Sequence, residues 1–141
     1  MAQFKILWLD ANSSDPMNSF RSKLADALTF TDVNDCIQYV QSHSNEPIYL
    51  IVSGSFAKEI VSEIYESSNL EQIFLFCGSV STYVEWAMDY RDKIMIFDHG
   101  DDLLERLWND LQNKLRKQAT LCLQRANEYE KRALQYKRPC G

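Results

Sequence analysis

The chain has 141 residues, 45% of them hydrophobic, with three prolines and four glycines, which argues against a disordered chain and fits one ordered globular domain. Its formal net charge of −5 is unevenly spread, because residues 1–100 carry 6 Lys+Arg against 14 Asp+Glu and residues 111–141 carry 8 against 2. No stretch approaches 18 uninterrupted apolar residues, so no membrane-spanning helix and no membrane partner are expected.

Phe4-Lys5-Ile6-Leu7-Trp8-Leu9 reads as a first strand that stops at Asp10. It begins too early to leave room for a secretory leader, and a cytoplasmic location is expected. Asp15-Pro16 supplies an N-cap followed by proline at a first helical position. Met17, Phe20, Leu24, Ala27 and Leu28 recur at spacings of three and four, the mark of a one-sided apolar helix. Thr29–Val33 is a short candidate edge strand, and Asn34 or Asp35 is a candidate cap for a helix carrying Cys36, Ile37, Tyr39 and Val40.

Ile48-Tyr49-Leu50-Ile51-Val52 lies between Pro47 and Ser53-Gly54-Ser55. Five apolar residues without alternation predict a strand buried on both faces. Ala57–Glu66 reads as a helix, Ile73–Cys77 as another buried strand closed by Gly78-Ser79, and Ser81 or Thr82 starts the next helix. Ile94–Phe97 is the last strand, ending at Asp98-His99. Strand and helix alternate five times, with connections suited to crossover helices. The fold class expected is α/β, a five-stranded parallel sheet of flavodoxin-like order 2-1-3-4-5 with helices on both faces.

The final helix is longer than a sheet-covering helix needs. Helical character persists from Asp102 to about Tyr136, whereas about 12–16 residues cover a strand of some 20 Å. Leu103, Leu104, Leu107, Trp108, Leu111 and Leu115 can pack on the sheet. A thinner stripe continues through Ala119, Cys122, Ala126, Tyr129 and Ala133. The division expected is an α/β domain over 1–118 and a helical extension or linker over 119–141. The extension can pair with a second copy, run on into another module, or fold back after a break near Lys117-Gln118. Its candidate interaction residues are Trp108, Leu115, Cys122, Ala126 and Tyr129. Alanine and cysteine are small for a coiled-coil seam, so self-pairing is expected to be weak or tight and small-residue in kind.

Chemistry in a parallel sheet appears at the carboxyl ends of the strands. Asp10, Ser53, Gly54, Cys77, Gly78, Ser79, Asp98 and His99 should gather there as a candidate ligand rim. Small residues leave room, and the helix expected to start at Ala57 directs backbone N–H groups at it. Neither GxGxxG nor GxxxxGK[ST] is present, and Ser53-Gly54-Ser55 does not satisfy GxSxG. A triad would need His43 or His99 beside Ser53. Cys36, Cys77, Cys122 and Cys140 form no CxxC, so no metal site is expected; Cys36 and Cys77, in apolar stretches, read as buried free thiols, which fits the reducing cytosolic compartment expected. No catalytic residue and no cofactor are assigned.

The layout resembles the receiver domain of two-component response regulators over about residues 3–118. That resemblance implies an acidic pair after strand one, a phosphoacceptor Asp after strand three, a hydroxyl residue after strand four and a lysine after strand five. Asp10 stands in the first place, but Ser53, Cys77 and Asp98 occupy the others. Acyl-phosphate chemistry needs a carboxylate nucleophile and a cation beside the phosphoryl oxygens, so a degenerate pseudo-receiver is implied. LWLDAN at 7–12 and LIVSGS at 50–55 also resemble receiver-like N-terminal modules of invertebrate multidomain proteins that carry tetratricopeptide repeats or an arginine ADP-ribosyltransferase domain.

The function expected is a non-catalytic regulatory module that associates through its last helix with itself or an adjoining domain. The rival is a small-molecule sensor or hydrolase at the rim around Ser53 and His99. Nucleic acid is not expected as a partner. The basic residues Lys114, Arg116, Lys117, Arg125, Lys131 and Arg132 are diluted by polar ones, without the aromatic platform that bases stack on.

Overall fold

Five short apolar runs separated by crossover helices leave the chain one economical arrangement, and the computed structural model has it. The structure describes residues 4–13, 19–24 and 26–136. In chain order these form β1 (Lys5–Leu9), α1 (Ser19–Lys23), β2 (Leu28–Phe30), α2 (Val33–Ser42), β3 (Ile48–Ser53), α3 (Gly54–Ile64), β4 (Leu70–Phe76), α4 (Ser81–Ala87) with a 3-10 turn at Met88–Tyr90, β5 (Ile94–Phe97) and α5 (Gly100–Gln135). The sheet is wholly parallel in the order β2-β1-β3-β4-β5. The helix start expected at Asp15-Pro16, with Met17 on its stripe, lies outside the described residues.

Register explains the lost alternation in β3. Leu7, Leu50, Ile73 and Ile94 lie in one row across four strands, and Leu9, Val52 and Leu75 in another. Both rows belong to a cluster with Val33, Cys36 and Val40 of α2 and Ala57, Ile60, Val61 and Ile64 of α3. The intervening row Trp8, Ile51 and Phe74 points to the opposite face and is also buried. Phe20 of α1 packs on that face, 5.4 Å from the Trp8 ring and 5.9 Å from Phe76. With both faces covered, every residue of β3 up to Val52 is apolar.

Several boundaries differ from those the sequence suggested. Ala27 and Leu28 are not on α1, since Leu28 already pairs with Leu7 as the start of β2. Val33 opens α2 because Asp32 is the cap: its carboxylate accepts Asn34 N–H at 2.7 Å and Asp35 N–H at 3.4 Å. Neither Asn34 nor Asp35 plays that part. β4 begins three residues before its apolar run, and α3 starts directly at Gly54 without a loop.

Two polar side chains fasten helix ends to neighbouring loops. The buried Asn69 donates its amide to the carbonyls of Val40 at 2.9 Å and His43 at 3.0 Å, closing the end of α2. Lys93 donates to the carbonyls of Tyr65 at 2.6 Å and Ser67 at 3.1 Å, which are left open where α3 ends.

By its internal packing the chain divides into one unit running to Leu104 and a second from Glu105 onward. α5 is continuous across Lys117-Gln118, which removes the expectation of a break and fold-back there. Leu103, Leu104, Leu107 and Leu111 are buried, whereas Trp108 and Leu115 are 41% and 45% exposed. Those last two therefore do not pack as core residues. No helix among the described residues is long and apolar enough to cross a membrane.

Candidate functional site

Parallel strands share a carboxyl end, so β1, β3, β4 and β5 deliver Asp10, Ser53, Cys77 and Asp98 to one edge of the sheet. Each is a strand's last residue or the one just after it, as sequence reasoning placed them. What the side chains do there is more local than a convergent rim.

Asp10 turns back on its own loop. Its carboxylate accepts the Asn12 N–H at 2.9 Å, and its own N–H donates to Phe30 at 3.0 Å. The buried Ser13 holds the same loop by donating its hydroxyl to Phe30. Ser53 pairs its hydroxyl with that of Ser55 at 3.1 Å, and Ser79 does the same with Ser81 at 3.0 Å. Each of these Ser-x-Ser pairs lies at the start of a helix, α3 and α4 respectively.

Tyr83 of α4 covers Gly54. A Cβ at position 54 would lie 2.5 Å from the Tyr83 hydroxyl oxygen and 2.8 Å from the ring. The glycine therefore leaves space that the phenol fills, and the Lys58 ammonium sits 5.8 Å from the centre of that ring. No such approach occurs at Gly78, where a Cβ would meet nothing within 4 Å.

Cys77 is a poor nucleophile where it sits. Burial pushes its thiol pKa up, a hydrogen bond with the Ser79 backbone works against this, and the Asp98 carboxylate adds a lesser upward push. Cys36 is pushed up to about 12 by burial alone.

Asp98 and His99 form an exposed pair, with carboxylate oxygen and Nδ1 2.7 Å apart. The hydrogen bond from His99 lowers the Asp98 pKa. The same bond and charge raise that of His99, helped by Asp102 and Asp101. Beside the imidazole lies a cavity of about 470 Å³ lined by Phe20, Lys23, Phe76, His99, Gly100, Asp101 and Asp102. Within it Lys23 bonds Asp101 at 3.2 Å.

The rim's hydrogen bonds thus stay local, Ser53 with Ser55, Ser79 with Ser81 and His99 with Asp98. Among the described residues the Ser53 hydroxyl bonds Ser55 and the His99 imidazole bonds Asp98, so the serine–histidine bond of a triad is not formed. His43 is engaged elsewhere, with its Nδ1 2.9 Å from the Tyr39 carbonyl. Among the described residues no group of three or more His, Cys, Asp or Glu side chains is arranged to hold a metal ion.

Sequence reasoning missed Phe20, Lys23, Phe76 and Tyr83 as neighbours of these loops. Lys23 and Asp101 are 78 residues apart, and no local pattern announces such a meeting. Gly54 was the one available signal, as a glycine opening a helix at a strand end.

The proposed interaction residues are all on the surface of α5. Trp108, Leu115 and Tyr129 are 41%, 45% and 59% exposed, and Cys122 and Ala126 are exposed as well. Comparison with protein-family models, curated proteins and solved structures found no match for this chain.

Proposed function

We propose that the chain is a non-catalytic interaction module with a degenerate receiver-like fold, working through α5 on a second copy of itself or an adjoining domain. The observation that carries this reading is the helix. Over 36 continuous residues it keeps apolar side chains well beyond its last buried leucine, Leu111, and Leu115, Leu123, Tyr129 and Tyr136 stay exposed. Large apolar side chains left exposed along a helix are characteristic of an association surface.

The strand-end chemistry supports the non-catalytic part. A phosphoacceptor receiver needs a carboxylate where Ser53 ends β3 and a cation where Asp98 follows β5. The Asp98 carboxylate would instead repel a phosphoryl dianion. Light scattering on a sizing column, comparing the full chain with one ending at Gln118, tests the reading. A dimer that becomes monomeric on truncation supports it; turnover of a nucleotide or acyl substrate by the purified chain sinks it.

The cavity beside His99 favours one second reading, a small-ligand sensor. Its volume falls in the range of small-molecule sites, about 300–1,000 Å³. Ligand-induced melting shifts that vanish with His99→Ala would support it, and shifts indifferent to that change would dismiss it.

A further inference from the structure

The exposed part of α5 repeats every seven residues. Leu115, Cys122, Tyr129 and Tyr136 occupy one position of the repeat, and Gln112, Ala119, Ala126 and Ala133 the position three residues earlier. All eight are exposed, and the helix between them is unbroken to Gln135. The two positions form a single seam of a heptad helix, with large side chains at one and mostly alanine at the other.

Such a seam distinguishes between ways of pairing. In a parallel pair each position faces its own copy, so three all-alanine layers alternate with leucine, cysteine and tyrosine pairs. The helices would have to approach and part every half repeat, and the alanine layers would be left as voids. In an antiparallel pair the large position of one helix shares a layer with the small position of the other.

We propose that α5 pairs antiparallel with α5 of a second copy, Ala126 of each chain facing Cys122 of the other. This deepens the association proposed above and rests on it. In that register Tyr129 faces Ala119, Leu115 faces Ala133 and Tyr136 faces Gln112, so every layer combines a larger with a smaller side chain. The paired segment, residues 112–136, is about 36 Å long.

The charges beside the seam fit a second copy in the same register. Arg116 and Glu130 occupy the same flanking position two repeats apart, so each Arg116 meets Glu130 of the other copy, once on either side of the twofold axis. Leu123, 64% exposed, lies midway between them and meets its own counterpart. On the other flank Arg125 faces Arg125, the one like-charge contact. Arg132 is already held by Glu128 of its own helix at 2.8 Å. Lys117 and Lys131 lie on the far side of the helix, where solvent screens them. Because Arg116 and Glu130 complement each other, one helix carries both halves of the match, as a twofold pair requires.

Disulfide trapping of full-length chains, all carrying Cys140→Ser, tests the register. One chain keeps Cys122; the other carries Cys122→Ser with Ala126→Cys. Both positions are exposed, so neither change disturbs a core. Across the antiparallel pair two Cys122 residues are offset by about four residues, ~6 Å along the axis, which together with the spacing between the helices exceeds the roughly 7 Å Cα separation a disulfide spans. The expected result is that the mixed chains cross-link under mild oxidant while neither chain cross-links with itself. Self-linking of each chain without mixed product would mean a parallel pair; it would overturn the register and leave the association standing. A dimer by light scattering that traps in neither way would also overturn it. A full-length chain that is monomeric at every concentration would remove the self-association beneath it as well.

Discussion

The central strand β3 and the outer half of α5 both carry large apolar side chains, yet these have opposite environments. Ile48, Leu50, Ile51 and Val52 have no measurable exposure, whereas Leu115, Leu123, Leu134 and Tyr136 range from 45% to 83% exposed. β3 has neighbouring strands on both sides and covered faces above and below. α5 beyond Leu111 keeps its regular hydrogen bonds without such cover. Hydrophobic composition is thus a poor guide to what holds a segment in place. In β3 it stabilises the fold, and in α5 it is left available.

The sharpest way to break this contrast is to empty the centre of the sheet. Leu50→Ala removes a fully buried side chain between Leu7 and Ile73 and should cost about 2–5 kcal/mol of unfolding free energy by urea titration. A loss below about 0.5 kcal/mol, the size of an ordinary surface change, would mean that β3 is not the core strand described. Next comes Asn69→Ala, which leaves the Val40 and His43 carbonyls without their donor. A destabilisation of about 1–3 kcal/mol is expected, together with faster amide exchange at the end of α2.

On the helix the expectation reverses. Tyr129→Ala should change the stability of the monomer by no more than about 0.5 kcal/mol while weakening the self-association seen by light scattering. A large stability loss from that variant would show that the outer helix is held as the sheet is.

The smallest effect expected concerns pH. His99 has a raised pKa, so its contribution is present below the unfolded value of about 6.5 and is lost as pH rises through the folded one. Asp98 is lowered, so its contribution is present above the unfolded carboxylate value and is lost as pH falls through the folded one. Both groups are exposed and the change in melting temperature between pH 5 and 9 should be slight. Asp98→Asn should return the His99 NMR titration toward about 6.5, and an unmoved titration would exclude the pair as its cause.

These comparisons also show where the sequence is informative. β3 and the apolar centre of β4 are legible because burial on both faces selects uninterrupted apolar residues, and β5, at the sheet edge and only partly buried, is legible from its unbroken apolar run. The strand order follows from crossover geometry. Boundaries were harder: β4 starts at Leu70, but Glu71 and Gln72 interrupt the apolar pattern, and the cap at Asp32 overrides Asn34 and Asp35 two and three residues later. The strand-end residues were legible as positions, since Asp10, Ser53, Cys77 and Asp98 follow from where strands stop. Their partners were not. The placement of Tyr83 over Gly54 depends on how α3 and α4 start beside each other, and the meeting of Lys23 with Asp101 on a contact between distant parts of the chain.

The three tryptophans stand in three different settings. Trp8 is 3% exposed against Phe20, Trp86 is half-buried between Tyr83 and Tyr90, and Trp108 is 41% exposed on α5. Their emission should therefore span the range from apolar to aqueous surroundings. Trp108 should be the most readily quenched by a dissolved collider, and Trp86 should receive energy from its neighbouring tyrosines. Single-tryptophan variants would follow the sheet, the α4 surface and the outgoing helix as separate optical signals in one titration.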